Sequence, residues 1–392
     1  MDLPTVALHA DDHLALTRDL AAPLHPSTTF RYPSDPADLV PANEQSIYDY
    51  STDDKGKPKY IYSRLTAPTL TRTEAVLSGV MDAPTVLYSS GLAAAHALLA
   101  YLKPKRILIG EGGYHGVHAL IEQLARLSPG SFQKVGLDAE EIGPDDIVWV
   151  ENPLNPYGTI IDLAQLAETA HAVRAKICVD MTFAPPPMSS TPYIWDELKL
   201  DFVMHSCTKY FGGHSDLLSG SVSTRDEGAH KALLTERTFW GSTPGSMEQW
   251  LLLRSLRTLD MRVRQQSTTA TILARKLAEL TASSTSPIQT VHHASLQPPS
   301  LTASLFPSGL YPACFAIVLR NGDLAKGLPS KLKVFNHCTS LGGVESCVEW
   351  RAMSDASCDP GLVRISVGVE ASGDLVKDFV QGLEALDNDA AT

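Results

Sequence analysis

The residues with the clearest potential for chemistry lie between Asp201 and Gly220, in the stretch DFVMHSCTKYFGGHSDLLSG. The apolar run at 202–204 predicts a buried strand, which ends in small hydroxylated residues, one lysine and a Gly-Gly pair. Because Lys209 closely follows this strand, we expect it to be partly desolvated, which favours its neutral amine. A neutral lysine amine can form a Schiff base with a carbonyl compound.

Hydroxyl groups accompany this lysine. Ser206 and Thr208 lie at alternate positions just before it, where they could hold a phosphate group. Upstream, the apolar run from Val86 ends in Ser89-Ser90-Gly91 and leads into an Ala/Leu-rich helix. The free N–H groups at such a helix start can bind an anion, although a Ser-Gly cap alone is more often plain helix capping. An imine beside a phosphate anchor suggests pyridoxal 5'-phosphate as the cofactor.

A carboxylate at the end of a second strand fits the same cofactor. The segment AKICVD at 175–180 predicts a buried strand that ends in Asp180, upstream of Lys209 by one connection and one strand. A carboxylate paired with the pyridine nitrogen keeps that nitrogen protonated, and the protonated ring acts as an electron sink. We therefore expect Asp180 to contact the ring nitrogen.

Six short motifs occur in the order found in one enzyme family. They are SSGL at 89–92, ENPLNP at 151–156, VDMTFAPP at 179–186, HSCTKYFGGHSD at 205–216, SLGGVES at 340–346 and RISVGVE at 364–370. From about Ala22 to the C-terminal helix, the chain resembles the pyridoxal-phosphate enzymes of cysteine and methionine metabolism. This trans-sulfuration family includes cystathionine γ-synthase, cystathionine γ-lyase and the O-acetylhomoserine sulfhydrylases.

The resemblance implies the type I fold of pyridoxal-phosphate-dependent transferases, like that of aspartate aminotransferase. Strand-like runs that alternate with helical stretches between about Leu65 and Trp250 independently predict a mostly parallel α/β sheet. We expect an N-terminal arm on a neighbouring subunit at 1–62, a cofactor-binding α/β domain at 63–250, and a linking helix with a smaller α+β domain at 251–392. The Pro/Ser-rich segment at 287–312 is predicted to be a loop.

The resemblance also implies roles for single residues. Tyr114 would stack on the cofactor ring and assist proton transfer, and Asn155 would lie near the ring oxygen and the substrate carboxylate. Arg364 would bind the α-carboxylate of the amino acid through two hydrogen bonds, with Ser340 beside the catalytic lysine and Thr339 next to it. The residues expected to hold the cofactor, apart from Lys209, are Ser90, Gly91, Leu92, Tyr114, Asp180, Ser206, Thr208, Tyr62 and Arg64.

Tyr62 and Arg64 differ from the other site residues, because their family counterparts reach the phosphate of a neighbouring subunit. The shared site implies at least a dimer, and the family favours a dimer of dimers. Ala67 and Asn152 depart from the family pattern, which has asparagine and a serine or threonine at these places. A local difference in the loop near Ala67 is therefore expected.

Composition excludes several other functions. The net charge of -12 over 392 residues argues against nucleic acid or an anionic membrane as the main partner. No apolar run approaches the ~20 residues of a membrane span, and the acidic N-terminus lacks the core of a signal peptide. The six cysteines are scattered without a C-x-x-C pair, so we expect reduced thiols, no metal site and a cytoplasmic protein.

The expected reaction is γ-replacement on an O-activated L-homoserine through a vinylglycine-type ketimine, with Lys209 holding the cofactor and shuttling protons. Synthases and lyases of the family usually carry glutamate where this chain has Thr339, and an arginine a few residues after the stacking tyrosine, where it reads HGVHA at 115–119. These departures favour an uncharged leaving group such as acetyl, and a small thiol or carbon nucleophile. Arg254, Arg257 or Lys55–Lys59 of a neighbouring chain could restore the missing charge.

Two other functions stay open. A γ- or β-lyase would use the same residues, with elimination or hydrolysis ending the reaction. A catalytically silent family member would act as a binding or assembly subunit, and the intact set of Lys209, Asp180 and Arg364 argues against it.

Overall fold

A seven-stranded sheet is built by the first half of the chain. The computed structural model describes residues 1–39, 60–127, 129–130, 133–138 and 141–390. The strands are β1 (Thr85–Tyr88), β2 (Arg106–Ile109), β3 (Gln133–Gly136), β4 (Ile147–Glu151), β5 (Lys176–Asp180), β6 (Phe202–His205) and β7 (Gly220–Ser223). Their spatial order is β1-β7-β6-β5-β4-β2-β3.

Most of this sheet is parallel. Neighbouring strands from β3 through β6 run parallel, whereas β7 is antiparallel to both β6 and β1. Strands β1, β6 and β7 are buried along their whole length, as expected for a sheet covered on both faces by helices. The predicted α/β fold with a parallel-rich sheet is confirmed.

Helices connect and cover these strands. They are α2 (Pro68–Met81), α3 (Gly91–Leu102), α4 (His115–Leu127), α5 (Leu163–Ala172) and α6 (Glu227–Trp240). The parallel strands end at one edge of the sheet, where Glu151 of β4 lies opposite Asp180 of β5, and Asp180 opposite Met204 of β6. Polar residues that follow these strands therefore converge at that edge.

Two helices lead from the first sheet to the second. They are α7 (Ser246–Leu256) and α8 (Leu259–Leu280), separated by a short break at Thr258. The arginines of these helices are not all exposed to solvent. Arg262 is buried and donates from Nη1 to the carbonyl of Tyr210 at 2.8 Å.

A five-stranded sheet dominates the C-terminal part. Its strands are β8 (Ile288–His292), β9 (Cys314–Leu319), β10 (Asn336–His337), β11 (Cys347–Trp350) and β12 (Leu362–Ser366). The order is β10-β11-β12-β9-β8, with only the β10–β11 pair parallel. The helices of this part are α9 (Pro299–Thr302), α10 (Gly322–Gly327) and α11 (Ser372–Ala390).

The smaller α+β part matches the prediction, with one correction. Strand β8 and the short helix α9 lie inside the segment at 287–312 that is predicted to be a loop, so that prediction is wrong for these residues. The strand forms because its backbone pairs with β9, a fully buried strand whose edge it covers.

The N-terminal residues pack on their own chain. Helix α1 (Leu3–His9) lies against α2 and α8, and the buried carboxylate of Asp11 binds Arg72 Nε at 2.6 Å and Arg257 Nη2 at 2.7 Å. This part of the expected arm therefore contacts its own subunit, and contact of the arm with a neighbour stays a prediction. Lys55–Lys59 lie outside the described residues. No helix in the described part of the chain is long and apolar enough to cross a membrane.

Candidate active site

A cavity of about 490 Å³ opens at the carboxyl edge of the parallel strands, between the two sheets. Most residues that the sequence assigns to the site line this one cavity, although they come from distant parts of the chain. They are Ser90, Gly91, Leu92, Tyr114, Asn155, Asp180, Ser206, Thr208, Lys209, Thr339, Ser340 and Arg364. The rest of the wall combines polar residues, described below, with the apolar side chains of Val117, Phe183, Met204, Leu218 and Leu341.

Lys209 reaches the cavity from the segment after β6. Its Nζ donates a hydrogen bond to Ser340 Oγ at 2.9 Å. Burial and then the positive field of Arg364 lower the pKa of Lys209 below that of an ordinary lysine. Both effects favour the neutral amine, which is the nucleophilic form.

The turn that carries Ser340 is tightly packed over the lysine segment. Ser340 has a φ of +82°, which is uncommon for a residue with a side chain. Gly342, with a φ of +74°, lies so close to Tyr210 that a Cβ there would be 2.8 Å from the Tyr210 nitrogen. The strained backbone thus places the Ser340 hydroxyl next to the lysine amine.

The start of α3 forms an anion cradle. Ser90 caps this helix by accepting a hydrogen bond from Ala93 N at 3.0 Å, and the first N–H groups of a helix have no partner within it. A Cβ on Gly91 would lie 3.0 Å from Ser206 Cβ, and one on Gly220 would lie 2.3 Å from the Ser90 carbonyl oxygen. Glycine is therefore required at 220 to let the helix start approach the strand.

Asp180 is held by hydrogen bonds at the floor of the cavity. Its Oδ1 accepts from the backbone N of Thr182 at 2.9 Å and from Thr182 Oγ1 at 2.6 Å. The same hydroxyl oxygen accepts from Ser206 N at 2.8 Å. Thr182 therefore links the carboxylate to the hydroxyl-bearing segment before Lys209, which fixes the carboxylate relative to the lysine.

Glu151 is a buried carboxyl group that the sequence interpretation does not assign to the site. Its two oxygens accept from Tyr114 N at 2.6 Å and from Asn155 N at 3.0 Å, so it positions both of these residues. Burial, and then the negative field of Asp180, raise the pKa of Glu151. Burial also raises the pKa of Asp180, but by less, because hydrogen bonds from Thr182 stabilise its carboxylate. We infer that Asp180 ionises before Glu151.

Arg364 lies on β12 of the second sheet and lines the same cavity. Its Nη1 donates to Asn155 Oδ1 at 3.1 Å and its Nη2 donates to the carbonyl of Ser340 at 3.1 Å. Nη2 also forms an ion pair at 2.6 Å with Oε2 of Glu349, which lies directly opposite on β11. The guanidinium is thus fixed in place with donors that face the cavity.

Three polar residues near β11 line the cavity without having been assigned to it. These are Glu349, Arg351 and Ser354. The sequence carries a usable signal for Glu349, because strand alternation places it on the same face of β11 as Cys347, whereas Arg351 lies beyond the end of the strand. Arg254 and Arg257, the alternative charged groups, do not line the cavity: Arg254 is exposed and Arg257 binds Asp11.

Tyr62 and Arg64 also lie outside the cavity of their own chain. Both side chains are exposed, with the Arg64 guanidinium 5.4 Å from the centre of the Tyr62 ring and Nη1 donating to the Thr238 carbonyl at 3.0 Å. Their role toward a neighbouring subunit therefore stays a prediction.

The residues present fit pyridoxal phosphate. The cavity offers an amine of lowered pKa at Lys209, an anion cradle at the start of α3 and a buried carboxylate at Asp180. These three groups match the aldehyde, the phosphate and the ring nitrogen of the cofactor. Tyr114 lines the cavity and is 43% exposed, so its side chain is available to stack on the cofactor ring.

Comparisons with known proteins agree with this geometry. The family model described as Cys/Met metabolism PLP-dependent enzyme matches residues 4–384. The cystathionine gamma-synthase of Mycobacterium bovis is 32% identical over 355 residues, covering 82% of this chain and 86% of the relative. The cystathionine beta-lyase of Lactococcus lactis is 29% identical over 368 residues, covering 88% of this chain and 93% of the relative.

Among solved structures, a methionine gamma lyase from Micromonospora echinospora superposes with a TM-score of 0.83 and 30% identity, covering 98% of this chain and 99% of the other. Both synthases and lyases thus share the fold and the length of this chain. The protein belongs to the Cys/Met metabolism family of pyridoxal-phosphate-dependent enzymes.

Proposed function

We propose that the protein catalyses γ-replacement on an O-activated L-homoserine, with O-acetyl-L-homoserine as the substrate and a thiol or a carbon nucleophile as the second reactant. The observation that carries this proposal is the convergence of Lys209, Asp180 and Arg364 on one cavity, with the uncharged Thr339 in its wall. The absence of charge at Thr339 suits an acetyl group. Relatives named cystathionine gamma-synthase support the replacement chemistry.

The residues divide the chemistry among them. Bound pyridoxal phosphate supplies an electron sink for the bonds at the substrate α-carbon. Arg364 holds the α-carboxylate, and its hydrogen bond to Asn155 fixes the direction of the guanidinium. Asp180 would keep the ring nitrogen of bound pyridoxal phosphate protonated, and Tyr114 would stack on the ring.

Lys209 moves the protons. With the cofactor bound, the free amine of Lys209 would take the proton from Cα and pass it to the carbon that joins substrate and cofactor, which restores the neutral amine. This amine would then take a proton from Cβ, so that the electron pair of the Cβ–H bond can expel the group at Cγ. Ser340, at 2.9 Å from Nζ, keeps the amine above the substrate during both transfers. A nucleophile then adds at Cγ, and Lys209 returns the protons.

Product analysis by mass spectrometry tests this reaction. The protein is incubated with O-acetyl-L-homoserine alone and with sulfide, cysteine, homocysteine, and small β-keto acids or their esters. We expect a new amino acid that forms only when one of these partners is present. Formation of 2-oxobutanoate at the same rate under every condition would contradict γ-replacement.

A C–S lyase is the alternative function. Relatives named cystathionine beta-lyase and methionine gamma lyase match most of this chain, so the fold accommodates elimination as well. Release of a 2-oxo acid from cystathionine or methionine, faster than any replacement, would favour this alternative.

We infer that the active site is shared in a homo-oligomer, a dimer of dimers, with Tyr62 and Arg64 completing the neighbour's phosphate site. Their exposure and their position outside their own cavity support this inference. Mixing inactive Arg64→Ala and Lys209→Ala chains after dissociation tests it, because a hybrid dimer contains one intact site. Recovered activity is expected, and continued inactivity of verified hybrids would refute a shared site.

A further inference from the structure

Arg351 is a buried cation that the proposed mechanism does not use. It follows the last residue of β11, begins a short turn at Arg351–Met353, and is 5% exposed. Its carbonyl accepts hydrogen bonds from Ser354 N and Asp355 N, both at 3.0 Å, which hold the backbone of this turn. The side chain contributes to the wall of the active-site cavity.

The guanidinium of Arg351 has hydrogen-bond donors that are not satisfied by the residues around it. Its Nη1 lies 3.5 Å from Glu349 Oε2, beyond the range of a good hydrogen bond. Its buried Nε has no hydrogen-bond partner among the residues that the structure describes. Since an unpaired buried N–H of a charged group is costly, the arrangement is that of a site prepared for an anion.

Glu349 does not neutralise Arg351 by itself, because it is shared. Its Oε2 lies 2.6 Å from Arg364 Nη2, closer than to Arg351, and its Oε1 accepts a hydrogen bond from Ser354. Two buried guanidinium groups therefore face one buried carboxylate. With Glu349 committed mainly to Arg364, the positive charge of Arg351 is left for a ligand.

Arg351 lines the same cavity as Tyr114 and His115. Arg364 instead contacts Ser340, beside the lysine. The two arginines can thus engage different ends of one substrate assembly.

We propose that Arg351 binds a second carboxylate of the reacting molecules, distinct from the α-carboxylate that Arg364 holds. This inference rests on the proposed function and deepens it, because it supplies the charge that the residues at 115–119 and Thr339 lack. The second carboxylate belongs to the nucleophile if acetyl is the leaving group; if it belongs instead to a dicarboxylic acyl leaving group, the γ-replacement stands but O-acetyl-L-homoserine is not the preferred substrate.

Ligand binding to the holoenzyme tests this site without turnover. Dissociation constants are measured by calorimetry for succinate, glutarate and adipate, each compared with butanoate. We expect the best dicarboxylate to bind about 10- to 100-fold more tightly than butanoate, as a charge-assisted hydrogen bond implies. Arg351→Gln should reduce this preference to below about threefold, whereas Arg351→Lys should retain part of it.

Arg264→Gln is the matched control, because Arg264 is a surface residue paired with Asp260 on the same helix, with 49% of its side chain exposed. It should keep the full dicarboxylate preference. Equal binding of dicarboxylates and butanoate by the unchanged protein would overturn the proposal. Equal weakening of both ligand classes by Arg351→Gln would also overturn it, since Arg351 would then serve the α-carboxylate.

Turnover identifies the source of the carboxylate. One arm compares O-succinyl- with O-acetyl-L-homoserine, and the other compares 3-mercaptopropanoate with 3-mercaptopropan-1-ol. A drop in kcat/KM of about 10-fold or more in Arg351→Gln for the charged member of either pair, relative to its neutral match, supports the proposal. If no replacement product forms but Arg351→Gln still removes the dicarboxylate preference in calorimetry, the proposed function fails and the carboxylate site stands.

Discussion

Glu349 should be one of the most important buried carboxylates for the stability of this protein. It is 2% exposed, and its Oε2 lies 2.6 Å from Arg364 Nη2 and 3.5 Å from Arg351 Nη1. Glu349→Gln keeps the shape of the side chain but removes the one negative charge that, among the residues the structure describes, contacts both guanidinium groups. Removing one partner of a buried ion pair costs about 3–5 kcal/mol, because the other charge stays buried without compensation.

The expected shift in melting temperature follows from the size of the chain. At roughly 2.1 cal/mol/K per residue, 392 residues unfold with an entropy of about 0.8 kcal/mol/K. A loss near the lower limit, about 3 kcal/mol, therefore lowers Tm by about 4 °C. We take the lower limit because the glutamine amide oxygen can still accept a hydrogen bond.

Differential scanning calorimetry of the cofactor-free protein measures this shift. Glu279→Gln is the control, since Glu279 is a surface carboxylate with a 3.3 Å contact to Lys276, and such pairs contribute little. Added glutarate should stabilise Glu349→Gln more than the unchanged protein, because it returns negative charge to the two guanidiniums. A Tm of Glu349→Gln within 1 °C of the unchanged protein would refute the inference that this carboxylate holds the two charges in place.

Three further predictions follow from the site. Lys209→Ala should lack the visible absorption of the lysine-bound cofactor and show no turnover; substantial residual turnover would disprove the role of the amine. Burial raises the pKa of Glu151 from 4.5 to about 8, so the folded protein keeps a proton that the unfolded chain has lost. As the pH rises from about 4.5 to about 8, the free energy of unfolding should therefore decrease, by at most about 1.4 kcal/mol per pH unit. Glu151→Gln should flatten this dependence in urea titrations, and an unchanged slope would argue against it. Gly220→Ala, whose methyl group would meet the Ser90 carbonyl at 2.3 Å, should weaken cofactor binding at least tenfold in absorption titrations. Gly373→Ala, whose methyl group meets no atom within 4 Å, should bind the cofactor normally; equal affinities would show that the helix start tolerates displacement.

The parallel sheet makes much of the site predictable from sequence. Apolar runs that end in polar residues identify Asp180 and the lysine segment, and parallel strands bring their carboxyl ends to the same edge. The order of the motifs adds residues from the second sheet, such as Arg364, that no local pattern could place beside Lys209. The structure brings these residues to one cavity.

The partners of Arg364 could not be predicted in the same way. The ion pair with Glu349 depends on the register between β11 and β12, which places these residues directly opposite each other. Register is set by the turn and by packing of both strands, not by the sequence of either strand alone. The place of Arg351 in the cavity wall could not be predicted for a related reason, because its burial depends on the turn that follows β11.

Strand β8 and the N-terminal helix show a second limit. Residues 288–292 are only partly buried and follow a proline, so their sequence is typical of a loop, and pairing with β9 determines their conformation. Asp11 could similarly be taken for a surface residue, although it binds Arg72 and Arg257 more than 60 positions away. In both cases contacts distant in sequence decide the structure.

Product analysis in D₂O gives the most direct measurement of γ-replacement. The protein is supplied with O-acetyl-L-homoserine and the most effective nucleophile, and the product is examined by mass spectrometry and NMR. Removal of a Cβ proton by Lys209 predicts a new amino acid with the nucleophile at Cγ and deuterium at Cβ. Absence of any amino acid with the nucleophile at Cγ, with 2-oxobutanoate formed at the same rate with every nucleophile, would contradict γ-replacement by this protein, whereas a replacement product without deuterium at Cβ would contradict the removal of a Cβ proton.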